Sequence, residues 1–238
     1  MLKIFLYLTG LLPSVIWLLF YLRKDRRPEP NRMVLKVFFF GILSGFVAIL
    51  IEKGFQATTN SVFLASSFGN GLLTIFLGGA LVEETVKFLA AKIGTFHSKD
   101  LDEPIDFMLY MIIAALGFAA LENTLVLSNF HPVLNVGKAF ELMFWRFVSA
   151  TFLHALCSGI LGFYLALGHF HSQKRKFYIL FGICSAFLLH GLYNWSIMNI
   201  NGTGKFLIPL IIIIILSCWV SYGFKKIKRL KSVCNLYL

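Results

Sequence analysis

The sequence predicts an all-α polytopic integral membrane protein with about seven transmembrane helices, its N-terminus outside and its C-terminus in the cytoplasm. Three observations carry this expectation. The 238-residue chain is 58% hydrophobic with a mean hydropathy of +0.79. Its apolar residues gather into seven continuous runs, approximately 2–22, 34–52, 70–93, 105–127, 140–168, 177–198 and 206–224. Its positive charge is sorted between alternate connections. A helix rises about 1.5 Å per residue, so roughly 20 apolar residues cross a hydrocarbon core of about 30 Å. The runs are continuous rather than alternating, which favours helices over a barrel.

Taken in order, the first run is preceded only by Lys3 and followed by Arg23, Lys24, Arg26 and Arg27, with no small-x-small cleavage site. It therefore reads as a retained helix rather than a signal peptide. After the second run, residues 53–69 form the longest outer connection, and their VFLASSF portion is expected on the membrane surface. The inner connection 94–104 is polar and ends at Pro104, a suitable first helical residue. The last run has no ionisable residue between Lys205 and Lys225 and, with the first two, reads as scaffold.

Orientation follows from charge. With the N-terminus outside, the inner connections and tail hold sixteen Lys and Arg residues and the outer ones four. Cytoplasmic segments attract such residues. The net charge of +11 thus serves topology rather than nucleic-acid binding, and the tail KKIKRLK is expected to touch anionic lipid. Nothing outside the runs is long enough for a soluble domain, so residues 1–238 form one integral domain in the cell membrane. Cys157, Cys184, Cys218 and Cys234 contain no CxxC spacing and read as apolar fillers.

Four polar groups stand out against this background. Glu83 and Glu84 lie inside GGALVEETVKFLAA, His154 inside VSATFLHALCSGILGF, and His190 inside CSAFLLHGLYNW. A charged group at a helix centre costs roughly 2.5–3.5 kcal/mol to insert, so they mark a polar site. Residues four apart share a helix face. That spacing aligns Gly79, Glu83, Lys87 and Ala91 in the third run, Arg146, Ala150, His154, Ser158 and Gly162 in the fifth, and Gly182, Ala186, His190 and Asn194 in the sixth. Small residues in each stripe allow close helix approach, which turns the stripes toward the bundle interior. Glu83, Glu84, His154 and His190 fall within about three residues, or roughly 5 Å, of their span centres. Glu122 and Asn194 lie about 9–10 Å further out on the same rise.

Such a group can hydrolyse a peptide bond. Glu84 or Glu83 supplies a base for water, and the histidines support the oxyanion or the leaving amine. Lys87 neutralises one of two adjacent carboxylates, and Asn123 or Asn194 can donate hydrogen bonds. Arg146 can pair with Glu141 or Glu122, or bind a substrate carboxylate. Two His and one Glu also make a familiar zinc set, so His154, His190 and Glu84 are candidate ligands for Zn2+, although no HExxH fixes the metal. A proton- or metal-ion-coupled transporter uses similar intramembrane groups, and no inverted repeat supports it. A scaffold that binds single-span partners through its small-residue faces is a third possibility.

Taken together these elements resemble the PrsW family of intramembrane proteases, which is similar to the CAAX-prenyl endopeptidase and bacteriocin-processing membrane proteases with their paired glutamates. The likeness rests on EETVK at 83–87, GFAALEN at 117–123, the Arg-then-His segment ending HALCSG at 154–159, and HGLYN at 190–194. IDFMLY from Ile105 places Asp106 at a matching position. The chain departs from many members in lacking an aromatic residue soon after the EN pair, where it reads ENTLVL. The resemblance covers about residues 70–198, a four-helix catalytic core flanked by scaffold at 1–69 and 199–238. It implies proteolysis of membrane-anchored, single-span substrates of the anti-sigma-factor kind. It also implies a catalytic set of Glu83, Glu84, His154 and His190, supported by Glu122 and Asn194.

Overall fold

A computed structural model describes residues 2–62, 71–95, 98–130 and 136–234. Its regular elements are helical: α1 (Leu2–Leu22), α2 (Asn31–Val62), a π-helical segment (Thr74–Leu81) running directly into α3 (Val82–Thr95), α4 (Pro104–Phe130), α5 (Val136–Val148), α6 (Ala150–Phe170), a single 3-10 turn (Ser172–Lys174), α7 (Arg175–Asn199) and α8 (Gly204–Cys234). His97, His131 and most of the VFLASSF stretch lie outside the described residues.

The centre of the bundle is α4. Every residue from Met108 to Ala120 is buried, and α1, α2, α3, α6 and α8 all pack on it. A helix that is apolar all round can be buried on every side, and this one is. Glycine makes two of the contacts possible. A side chain at Gly41 of α2 would overlap the carbonyl of Ala114, and one at Gly117 would overlap the carbonyl of Phe38. On the other flank a Cβ at Gly162 of α6 would come within 2.6 Å of the Met108 backbone. Close backbone approach of this kind is how helices pack where lipid removes any hydrophobic drive between them. The outer helices leave large apolar side chains exposed, among them Leu35, Phe39 and Leu50 on α2 and Phe206 and Ile211 on α8.

Among the described residues, five segments are long and apolar enough to cross a membrane: Asn31–Thr59, Pro104–Asn129, Val136–Phe170, Ser172–Asn199 and Gly204–Arg229, with Tyr7–Leu22 a shorter apolar helix. The chain is therefore an all-α polytopic membrane protein. The third expected run falls outside this set because Glu83, Glu84, Lys87 and Lys92 dilute its apolarity.

Three local expectations are corrected. Residues Lys53–Val62 continue α2 as helix, shortening the expected outer connection. Residues Thr74–Leu81 are π-helical, so Gly79 leaves the α-spaced stripe of Glu83 and Lys87; Gly78 and Gly79, poor α-helix formers, sit where the pattern widens. The fifth run breaks at Ser149, whose φ of −121° and ψ of −93° are not helical. Arg146 therefore belongs to α5 and His154 to the first turns of α6. Trp17 of α1 fills the break. Its indole N–H donates to the Phe147 carbonyl at 2.9 Å, and its ring stacks on Phe152 at 3.9 Å.

Candidate active site

The first turn of α3 presents Glu83 and Glu84 on adjacent spokes, and one further turn presents Lys87. Glu84 and Lys87 are completely buried, while Glu83 stays partly open. Burying an ion is costly unless it is paired and hydrogen-bonded, and here the pairing is extensive. The Lys87 ammonium donates to Glu84 Oε1 at 2.7 Å, reaches Glu83 Oε2 at 3.3 Å, and meets His154 Nδ1 at 2.9 Å. It also lies 4.5 Å from the centre of the Phe118 ring on α4, a cation–π contact.

Each histidine is fixed through one ring nitrogen. His190 Nδ1 lies 2.9 Å from Glu84 Oε1, and Ser158 Oγ donates to Glu84 Oε2 at 3.2 Å. Glu84 is thus held by α3, α6 and α7 together. His154 Nε2 lies 2.7 Å from Glu122 Oε2 on α4. With the ammonium donating to its Nδ1, His154 carries its proton on Nε2 and gives it to Glu122. With Glu84 as carboxylate, His190 carries its proton on Nδ1, which leaves Nε2 as an acceptor. The two rings stand at 87° with centroids 5.0 Å apart.

A second tier continues from Glu122. Arg146 Nη2 lies 3.0 Å from Glu122 Oε1, and Arg146 Nε donates to Asn123 Oδ1. Asn123 in turn donates to Thr151 Oγ1 at 3.0 Å. Arg146 therefore clamps α5 onto α4 beside the Ser149 break.

Glu83, Glu84, Lys87, Glu122, Asn123, Arg146, His154 and His190 are all brought into one connected cluster. Asn194 lies one turn beyond His190 on the wall of an adjoining cavity of about 250 Å³, whose lining also includes Glu83, Glu122, Arg146, His154 and His190. Glu84 does not line it. Glu122 and His154 are in direct contact, against the separation in depth expected from straight spans.

The open carboxylate is Glu83. Its Oε2 pairs with the Lys87 ammonium at 3.3 Å, has no hydrogen-bond partner among the described residues, and lies 3.8 Å from both His154 Nδ1 and His190 Nε2. Ligand atoms of Glu83, His154 and His190 all fall within 4.8 Å of one another. The carboxylate that faces both imidazoles and lines the cavity is therefore that of Glu83, itself paired with Lys87, rather than Glu84, which is enclosed by Lys87, His190 and Ser158. Ligands held about 2.0–2.2 Å from one tetrahedral zinc lie roughly 3.4 Å apart, so this donor set fits a divalent metal in kind and spacing. Lys87 is its competitor for His154 Nδ1.

Sequence reasoning missed Glu52. It sits inside the unbroken helix α2 and lines a smaller cavity of about 120 Å³ with Glu83, Phe118 and Glu122. The available signal was an acidic residue at the end of an apolar run, which its neighbour Lys53 made look interfacial. Ser158 was placed on the right stripe without a role; it binds Glu84.

A family model described as "PrsW family intramembrane metalloprotease" matches residues 29–220. Protease PrsW of Geobacillus kaustophilus is 30% identical over 225 residues, covering 94% of this chain and 91% of that protein. Protease PrsW of Bacillus subtilis is 28% identical over 228 residues, covering 94% and 95%. Protease PrsW of Clostridioides difficile is 27% identical, covering 82% and 80%. No solved structure gives a significant match. The chain belongs to the PrsW family; it is an intramembrane protease and an integral multi-pass protein of the cell membrane.

Proposed function

We propose that this PrsW-family protease hydrolyses peptide bonds of single-span, membrane-anchored proteins with a water activated by Glu83. The observation that carries the reading is the pair of acceptors at the cavity floor, Glu83 Oε2 and His190 Nε2, 3.8 Å apart. A water that donates one proton to each has its lone pair directed into the cavity. Its oxygen attacks the scissile carbonyl carbon as its proton passes to Glu83. The C–N bond then breaks, and the Glu83 proton is delivered to the leaving amine. Asn194, on the cavity wall, donates its amide N–H to the oxyanion. General-base catalysis of this kind contributes about 10²–10⁴-fold.

In this reading Glu84 is an anchor: it holds His190 by Nδ1 and fixes Lys87. His154 and Arg146 hold Glu122 away from Glu83. The chemistry resides in residues 70–198, and the flanking helices shape it through Trp17 and Glu52. A divalent metal such as Zn2+, when bound, would be held by Glu83, His154 and His190 and would polarise the nucleophilic water. Substrates of the anti-sigma-factor kind follow from the family resemblance.

The test is cleavage of a tagged single-span substrate by protein reconstituted in liposomes. Glu83→Gln and His190→Ala are expected to lower kcat by at least about 10²-fold with the protein still folded. Wild-type cleavage by Glu83→Gln removes this reading.

A further inference from the structure

At the other end of α4 a second polar cluster takes no part in this chemistry. Asp25 and Glu29, from the connection between α1 and α2, meet Asp106 in the first turn of α4. One oxygen from each lies within 4.8 Å of the others. Asp106 is fully buried. Its Oδ2 accepts the Glu103 N–H at 2.6 Å, while its Oδ1 is buried with no hydrogen-bond donor among the described residues. Asp25 repeats the pattern: Oδ1 accepts the Arg27 N–H at 3.1 Å, and Oδ2 is buried without a donor among the described residues. Glu29 receives the Tyr110 hydroxyl, and its carboxyl lies within hydrogen-bonding reach of that of Asp106.

What is missing is a cation. Arg27 turns its guanidinium to Glu103 at 3.3 Å, Lys24 lies over the Phe20 ring, and among the described residues no Lys or Arg forms an ion pair with Asp25, Glu29 or Asp106. Buried carboxylates gathered without a counter-charge repel one another. Pro28 and Pro30 flank Glu29 and fix φ on both sides, so the loop presents its carboxylate in a restricted geometry. Hard oxygen donors converging from two segments, two of them with an unused buried oxygen, make the ligand set of a hard divalent cation.

We infer that Asp25, Glu29 and Asp106 form a binding site for Mg2+ or Ca2+ that ties the α1–α2 connection to the start of α4. The site is separate from Glu83, His154 and His190, and its stability readout is independent of proteolysis. Bound cation adds to the stability of the folded chain by mass action.

The experiment uses the full chain in detergent, stripped with chelator and returned to MgCl₂ or CaCl₂ at constant ionic strength. Thermal unfolding is expected to shift upward by several degrees with one or both cations, identifying which is preferred. Asp25→Asn and Asp106→Asn are expected to lose the shift. Tb3+ added to the stripped protein should give luminescence sensitised through Tyr110, reduced at least fivefold in Asp25→Asn. Asp25 lies in a connection, so that variant carries the test if Asp106→Asn does not fold. A wild-type unfolding temperature unmoved by either cation, or a shift equal in wild type and Asp25→Asn, overturns the inference. So does stabilisation by acid alone, which would mean that Glu29 and Asp106 share a proton.

Discussion

Two polar clusters sit roughly 24 Å apart along α4 at a rise of 1.5 Å per residue, one around Glu122 and one around Asp106, and they handle buried charge in opposite ways. Around Glu122 three acids have a basic neighbour from another turn or helix: Lys87 for Glu83 and Glu84, Arg146 and His154 for Glu122. Around Asp106 three carboxyl groups converge, and the nearby guanidinium of Arg27 is turned to Glu103. The two differ in neutralisation more than in burial: the first cluster brings its own cation in Lys87, and the second brings carboxylates alone.

Removing the internal cation has the largest expected effect. Lys87→Met leaves Glu84 buried with no ammonium, and losing one partner of a buried pair costs about 3–5 kcal/mol. Thermal unfolding in detergent should show that loss, and the double variant Glu84→Gln/Lys87→Met should recover much of it. A Lys87→Met protein as stable as wild type would mean that Glu84 is not paired as described.

A smaller effect sharpens the role of the second tier. Arg146→Lys keeps the charge but cannot bond Glu122 and Asn123 at once through a planar fork. Partial exposure of Glu122 discounts the loss, so about 1 kcal/mol is expected. It should appear as a lower unfolding temperature together with reduced cleavage, because the clamp also positions α5 at the cavity mouth.

The smallest effect is expected at the opposite cluster. Arg27 is 74% exposed where it pairs with Glu103, and exposed pairs contribute about 0–1 kcal/mol. Arg27→Gln should therefore leave stability in chelator nearly unchanged. A loss above 1 kcal/mol would show that Arg27 already serves as the counter-charge there and would weaken the case for a bound cation.

Much of the membrane architecture was legible because lipid imposes a strong local rule: a spanning helix must be apolar over most of its length. Runs four and six therefore coincide well with α4 and α7, and runs two and seven fall inside the longer helices α2 and α8. The polar cluster was legible for the converse reason, since Glu83, Glu84, His154 and His190 violate that rule at a cost. Glu52 was not, because an acid at the edge of an apolar run has the same local signature as an interfacial residue. The break at Ser149 was equally silent. Neither glycine nor proline marks it, and it persists because Trp17, 132 positions earlier in the chain, stacks into it and satisfies a carbonyl.

By itself the sequence determined that this chain forms apolar helices, that acidic and imidazole groups stand within them, and which family those groups belong to. These properties follow from side-chain chemistry and spacing along one chain. Only the tertiary structure decided that Glu83 lines the cavity while Glu84 is enclosed by Lys87, His190 and Ser158, and that Asp25, Glu29 and Asp106 meet at all. Adjacent residues on a helix leave its axis about 100° apart, so which of two neighbouring carboxylates is reactive depends on what the surrounding helices bring to each side.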